Sequence, residues 1–337
     1  MKIAIHKSGG FSERWIEYCE KNQIDYKIVN AYDSDIVEQV KDCGAFMWHH
    51  SHINYKDALF AKQLLFSLEL AGKKVFPDWH TCWHFDDKVG QKYLLEAIGA
   101  PLVPSYVFYT KKEALDWINK TSFPKVFKLR GGAGAANVKL AHTAAEARKL
   151  VRKAFGKGFT QYNSWVNLKD RWRLYRIGKT DFKDVLKGVI RLGYKPDFAK
   201  MHAPEKGYAY FQDFIPDNKF DIRVVVVGNK AMGEKRYIRE GDFRASGSGK
   251  FEYVKIREDV LQIAFEVASK LKLQSVAFDF IFHNDKPLIV EMSYGFGTHG
   301  ISHCGGYYTT DLQWHEGTHF DFCGWMVEDV IKSVQDK

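Results

Sequence analysis

Residues 276–293 read VAFDFIFHNDKPLIVEMS, two runs of strand-forming residues split by Asn284-Asp285. Val, Ile and Phe dominate Val276–His283 and Pro287–Met292, and the Asn284-Asp285-Lys286-Pro287 stretch turns the chain back, which predicts an antiparallel hairpin. Each run holds one acidic residue among apolar neighbours, Asp279 and Glu291. Folding the hairpin brings the two to one end of a sheet. Converging carboxylates make a hard, oxygen-rich site suited to Mg²⁺ and to the phosphates it neutralises. Read singly, the pair is equally well explained as two solvated carboxylates on a strand edge.

Upstream stands a second hairpin. Phe220–Val227 reads as a long strand, Gly228-Asn229 as a type I′ turn and Lys230–Ile238 as the return, followed by a helix over Val254–Leu271. Asp221-Ile222-Arg223 lies on the first strand and Asp242-Phe243-Arg244 in the following loop, with Arg236 and Arg239 between them. Cations gathered beside a metal–phosphate site would stabilise charge developing on a transferring phosphoryl group and a tetrahedral intermediate. Gly241 and the run Ser246–Gly249 suit a lid. Taken alone, the segment is a basic surface hairpin.

The third feature lies further back, where the strand Lys125–Lys128 runs into Arg130-Gly131-Gly132-Ala133-Gly134-Ala135-Ala136 and a new strand begins at Val138. Backbone N–H groups without side chains wrap phosphate oxygens, and a lysine at the strand end supplies a point charge. No Gly-Lys-Ser/Thr follows and no GxGxxG opens a helix, so the loop is neither a P-loop nor a dinucleotide fingerprint. A tight turn or a surface loop is the competing reading.

Before this point the chain alternates. Strands at Lys2–His6, Asp25–Val29, Ala45–Trp48 and Lys74–Phe76, with helices at Phe11–Asn22 and Ser34–Val40, predict a small open α/β domain over 1–81. No element is assigned between 49 and 73. Residues 82–330 form the second domain. It opens with a helix over Asp87–Ile98 and carries a basic aromatic insertion at about 160–196, where nine Lys or Arg stand against three Asp over 161–195. It ends in a Gly-, His- and aromatic-rich segment at 295–325, read either as an acceptor-binding wall or as packing. His49, His50 and His52, and the trio His299, His303 and His315, invite a zinc reading that a hard Mg²⁺ site makes unnecessary.

The 337 residues carry 50 Lys and Arg against 41 Asp and Glu, a formal charge of +9 that favours anionic partners. The five scattered cysteines include no CxxC pair and read as reduced thiols of a cytoplasmic protein. No apolar run is long enough to span a bilayer, and the expected location is the cytoplasm, with work at the inner face of a membrane left open.

From about Phe85 to Ser293, roughly 210 residues, the chain resembles the ATP-grasp superfamily, and within it the ribosomal-protein glutamate ligases and related amino-acid ligases. The resemblance rests on Asp87-Lys88, Lys125–Lys128 with its glycine loop, Tyr210–Pro216, Phe220–Val224, Gly241–Arg244, Phe278–Phe280 and Val290–Ser293. It implies an α/β and α+β fold in which two lobes clamp ATP behind a small N-terminal domain. It also implies that Lys88 and Lys128 contact the nucleotide and that Gly131, Gly132 and Gly134 close over the phosphates. Gln212, Asp213, Phe214 and Ile215 would line the adenine, and Asp221 would orient the nucleotide. Arg223 and Arg244 would hold the transferred phosphate, and Asp279, Glu291 and Ser293 would bind one or two Mg²⁺, with Mn²⁺ able to substitute.

Two positions depart from the family pattern. Ser293 stands where Asn is usual, and Ala245-Ser246 where the glutamate ligases prefer Ser-Asn. The implied reaction joins a small-molecule carboxylate to an amine through an acyl phosphate, with an acidic glycan, peptide or lipid-linked intermediate as acceptor and nucleic acid disfavoured. A phosphotransferase and a silent nucleotide-binding module are the alternatives.

Overall fold

The computed structural model describes residues 1–132, 138–160, 164–176, 178, 180–194, 203–239, 241–245 and 247–335. They fall into two compact units, Met1–His52 with Lys56–Pro104 and Ile215–Lys337, and Ile53–Tyr55 with Ser105–Phe214. The N-terminal α/β residues therefore share one unit with the last third of the chain.

The first unit begins with a parallel sheet of β1 (Ile3–His6), β2 (Tyr26–Val29), β3 (Ala45–Met47) and β4 (Lys74–Phe76), in the order β2-β1-β3-β4. Gly9 and Gly10 both adopt positive φ after β1, which lets the chain turn sharply into α1 (Phe11–Lys21). The next helix, α2, is a single turn, Ile36–Gln39. The unassigned stretch after β3 contains α3 (Tyr55–Leu70), which buries Ala61, Leu64, Leu65 and Leu68, spaced three and four apart. These residues pack with Ala4, Phe46 and Val75 on one sheet face. Ile3, Ile5, Ala45, Met47 and Phe76 project to the other face, against Phe11, Trp15 and Cys19 of α1. Two helices follow, α4 (Trp79–Cys82) and α5 (Lys88–Ala97).

The second unit is built on an antiparallel sheet. It comprises β5 (Ser105–Phe108), α6 (Lys111–Ile118), β6 (Lys125–Lys128), β7 (Val138–Ala141), α7 (Ala144–Ala154), α8 (Ser164–Arg176), α9 (Phe182–Gly193) and β8 (Ala209–Asp213), with sheet order β5-β8-β6-β7. Thr110-x-x-Glu113 and Thr143-x-x-Glu146 start α6 and α7, each threonine accepting the backbone N–H three residues on. The two helices bury Ala114, Ile118, Ala147 and Val151 against Phe127 and Phe211 of the sheet. The basic segment, expected to be extended or helical, is a helical hairpin.

Returning to the first unit, its large sheet contains β9 (Phe220–Val227), β10 (Lys230–Tyr237), β11 (Phe251–Glu252), β12 (Ser275–His283), β13 (Lys286–Ser293), β14 (Gly306–Thr309) and β15 (Trp314–Glu316). The order is β13-β12-β9-β10-β14-β15, with β11 on β10. One face is apolar throughout, with Ile222, Val224, Val226, Phe278 and Phe280 packing on α10 (Glu258–Lys270). That helix starts at Glu258 and not at Val254, because Arg257 holds an extended backbone as its N-cap. The opposite face is divided. Val225, Val227, Met232 and Ala277 join the core with α1 and the C-terminal helix α12 (Phe322–Gln335), while charged residues fill the other end. Segment 295–325 contributes α11 (Thr298–Ile301), β14 and β15, and buries Phe296, Ile301, Cys304 and Phe322 in that core.

The turn expected to be type I′ differs from expectation, and the other takes that form. Gly228 has positive φ and Asn229 does not, so the β9–β10 turn is not type I′, whereas Asn284 and Asp285 both have positive φ, as a type I′ turn requires. Among the described residues, no helix is long and apolar enough to cross a membrane.

Candidate functional site

Register places the site. Glu234 pairs with Arg223, Arg223 with Asp279, and Asp279 with Glu291, so four charged residues form one row across β10, β9, β12 and β13. Arg236 and Asp221 form the neighbouring pair on the same face. Alternation in β9 and β10 produces this arrangement, since positions 221, 223, 234 and 236 all point away from α10.

The row is knitted by ion pairs. Arg223 donates through Nε and NH2 to the two oxygens of Asp279 at 2.8 and 3.0 Å. Arg236 donates to both oxygens of Asp221 at 2.7 Å and reaches Asp279 Oδ2 at 2.8 Å. Burial works against the Asp279 carboxylate, but the two guanidiniums outweigh it and hold its pKa well below the carboxylate range. Planar forks bound through two bonds fix both geometry and charge, which a lysine would not do.

At the end of the row, Lys88 Nζ lies 3.1 Å from Glu291 Oε1. Lys88 is the first residue of α5, and its backbone is set by the Asp87 cap, whose Oδ1 accepts from the Gly90 N–H at 2.9 Å. Its side chain is 7% exposed, whereas that of Glu291 is 36% exposed, so the glutamate is the more accessible partner. Ser293 Oγ donates to the Gly295 carbonyl at 2.9 Å.

Glu234 closes the other end of the row. Burial pushes its carboxyl up to about 7 despite the Arg223 and Arg236 charges, and its Oε2 is buried without a hydrogen bond. The backbone of Gly300 in α11 lies against it, and any Cβ there would overlap the carboxylate.

The other expected residues are distributed as follows. Arg244 is folded onto Asp242, with Nε 2.9 Å from each carboxylate oxygen. In the second unit, Lys128 is buried at the end of β6, and Gly131 and Gly132 follow it. Gln212 is buried in β8, where its amide donates to Ser105 Oγ at 3.1 Å, and Asp213 accepts from Lys125 Nζ at 2.6 Å. Phe214 closes that unit and Ile215 opens the next segment of the first. Gly134 and Ser246 lie outside the described residues.

Asp221, expected to orient nucleotide, is committed to Arg236. Arg236, expected among the cations beside the phosphate site, instead serves Asp221 and Asp279, and Glu234 joins the row without having been expected there. The signal was present: a two-residue turn at 228–229 pairs 223 with 234 and 221 with 236, placing opposite charges face to face.

Among the described residues, neither the His49, His50 and His52 group nor the His299, His303 and His315 trio brings three ligating atoms together. His49 stacks on Phe11 at 4.0 Å, His50 is buried beside Phe85 and Tyr294, and His315 stacks on Tyr307 away from the His299–His303 contact. Among the described residues, only Glu69, Asp78 and His80 bring three metal-ligating atoms close together.

Comparison with known proteins agrees with this geometry. Residues 199–311 match the RimK-like ATP-grasp domain family, which covers the charged row and its hairpins. A Legionella pneumophila (strain Corby) protein described as "Probable alpha-L-glutamate ligase" is 33% identical over 108 residues, 31% of this chain and 34% of that protein. The chain thus matches about a third of the length of these curated relatives. Two solved structures align over nearly the whole chain. A RimK domain ATP-grasp protein from Sphaerobacter thermophilus has a TM-score of 0.59 at 14% identity, covering 98% of this chain and 100% of its own. The ATP complex of Bacillus anthracis D-alanine–D-alanine ligase has a TM-score of 0.59 at 12% identity, covering 100% and 98%. The chain has the ATP-grasp fold over nearly its whole length, and its residues 199–311 are similar to the RimK-like ATP-grasp domain.

Proposed function

We propose that this chain is an ATP- and Mg²⁺-dependent carboxylate–amine ligase that forms an amide through an acyl phosphate. The observation that carries the reading is the row Lys88–Glu291–Asp279–Arg223, in which two hard carboxylates and their cations occupy one end of a sheet face. The donor set fits Mg²⁺, which takes oxygen ligands and is commonly held by one or two carboxylates together with substrate phosphates. Glu291 is the accessible ligand of the set. Asp279 would share its oxygens between the metal and the two guanidiniums, and Ser293 offers a weaker neutral oxygen than the amide usual there. Bound Mg²⁺ would neutralise phosphate charge.

The chain's own residues then divide the work. Lys128 with Gly131 and Gly132, and Lys88, would hold phosphates. Gln212, Asp213, Phe214 and Ile215 would line the base, and Arg223 and Arg244 would bear the charge of the transferred group. A substrate carboxylate oxygen attacks the γ-phosphorus, and ADP leaves. An amine nitrogen then attacks the acyl carbon, the C–O bond to phosphate breaks with its electron pair, and the nitrogen loses a proton. No Ser, Cys or His nucleophile is needed.

Similarity to the probable alpha-L-glutamate ligase of Legionella makes glutamate the first amino acid to test. The positive balance of the chain favours an anionic acceptor, an acidic glycan, peptide or lipid-linked intermediate. ADP release would be followed with glutamate and other amino acids, singly and paired with acidic acceptors. A ligase needs both partners and yields a new amide by mass. ADP formed without an amine requirement would make the chain a phosphotransferase.

A further inference from the structure

The geometry points to a second surface on the chain, independent of the ligase reading: the α8–α9 hairpin docks on an anionic phospholipid bilayer. On α9, Phe182, Leu186, Val189 and Ile190 recur at helical spacing and are all exposed, Phe182 at 57% and Ile190 at 61%. Lys183, Lys187 and Arg191 recur every four residues on the adjoining face. The apolar stripe is distinct from the side that meets α8. That side carries buried Val185 and Gly188, where a methyl would come within 3.0 Å of Leu168 and 2.9 Å of Arg171. Close packing at Gly188 leaves the Phe182–Ile190 stripe facing outward.

The other helix extends the same pattern. Trp165 and Trp172 lie seven residues apart on α8, and both are exposed, Trp165 at 65%. Ring contacts run from Trp172 to Tyr175 at 5.9 Å and from Tyr175 to Phe182 at 5.7 Å, so the aromatic surface is continuous from one helix to the other. Lys169, Arg173 and Arg176 are exposed beside it. The described acidic side chains of the hairpin are engaged locally. Asp184 is taken up by Arg171, and Asp181 caps the N-terminus of α9.

Aliphatic and aromatic side chains on one face with Lys and Arg alongside are the composition of helices that lie in a membrane interface. There, hydrocarbon enters the acyl boundary and the basic groups meet anionic headgroups. A nucleic acid or acidic polymer would use the cations and aromatics but has no use for Leu186, Val189 and Ile190. Pairing with a second copy through a two-fold axis would bring Lys183, Lys187 and Arg191 against their own equivalents.

The test is sedimentation of the full chain with sucrose-loaded vesicles of phosphatidylcholine, with and without phosphatidylglycerol. Binding is expected only with the anionic lipid, weakening at least about tenfold in high salt. Leu186→Ser with Ile190→Ser, and separately Lys183→Glu with Lys187→Glu, are each expected to lower partitioning at least about tenfold while circular dichroism is unchanged. The proposal is overturned by equal binding to neutral and anionic vesicles or by no binding to either. It is equally overturned by vesicle-independent capture of RNA or polyglutamate that survives Leu186→Ser with Ile190→Ser, or by a dimer that this double change dissolves.

Discussion

Asp279 and Glu291 stand directly opposite each other on β12 and β13, yet each is held by a different cation, Asp279 by Arg223 and Arg236 and Glu291 by Lys88. The two carboxylates of one candidate metal site therefore have different structural duties. Glu291 is partly exposed and meets one cation, the buried Lys88, so Glu291→Ala is expected to cost about 1–3 kcal/mol while abolishing ADP release. Asp279→Ala strips two guanidiniums of their buried partner and is expected to cost about 3–5 kcal/mol in addition to activity. Urea unfolding of both variants checks the contrast, and equal stability losses would contradict it.

Arg236 and Asp221 form a buried pair at 2.7 Å. Removing one member leaves the other charged in low dielectric, whereas removing both removes the problem. Arg236→Met alone is expected to lose about 3–5 kcal/mol, and Arg236→Met with Asp221→Leu to lose clearly less. A double variant at the sum of the two single losses would show that the pair does not act as a unit.

Acid should destabilise the first unit through its buried imidazoles. Burial lowers His84 from 6.5 to about 4, and His49 similarly. The folded pKa lies below the unfolded one, so below pH 6.5 the unfolded chain takes up a proton that the folded chain refuses. Stability is then unaffected above that pH and declines as pH falls towards 4. For His84 the loss between about pH 7 and about pH 5 is ~2 kcal/mol. His84→Gln is expected to flatten the pH dependence of urea unfolding by that amount, and an unchanged slope would show that His84 is not the group responsible.

Much of the architecture could be read directly from residue pattern. The 284–285 turn, the β9–β10 hairpin and the strands on either side of the glycine loop are local signals, and they appear where local chemistry places them. Helices α3 and α12 went unassigned although their buried residues are helically spaced, Leu64, Leu65 and Leu68 in one and Phe322, Met326, Val327 and Val330 in the other. Their cue was a stripe of burial, visible only when each segment is scored against a helical period. The partners of Asp221 and Asp279 lay further from view. A sequence shows that charges alternate on a strand, but only register decides that Arg236 serves both aspartates.

The reaction itself is tested most directly with a substrate carboxylate labelled with ¹⁸O. If an acyl phosphate forms, the attacking oxygen stays on phosphorus when the amine displaces it. One ¹⁸O is expected in the inorganic phosphate for each amide made, and none with Glu291→Ala. Amide formation with unlabelled phosphate would contradict the acyl-phosphate route.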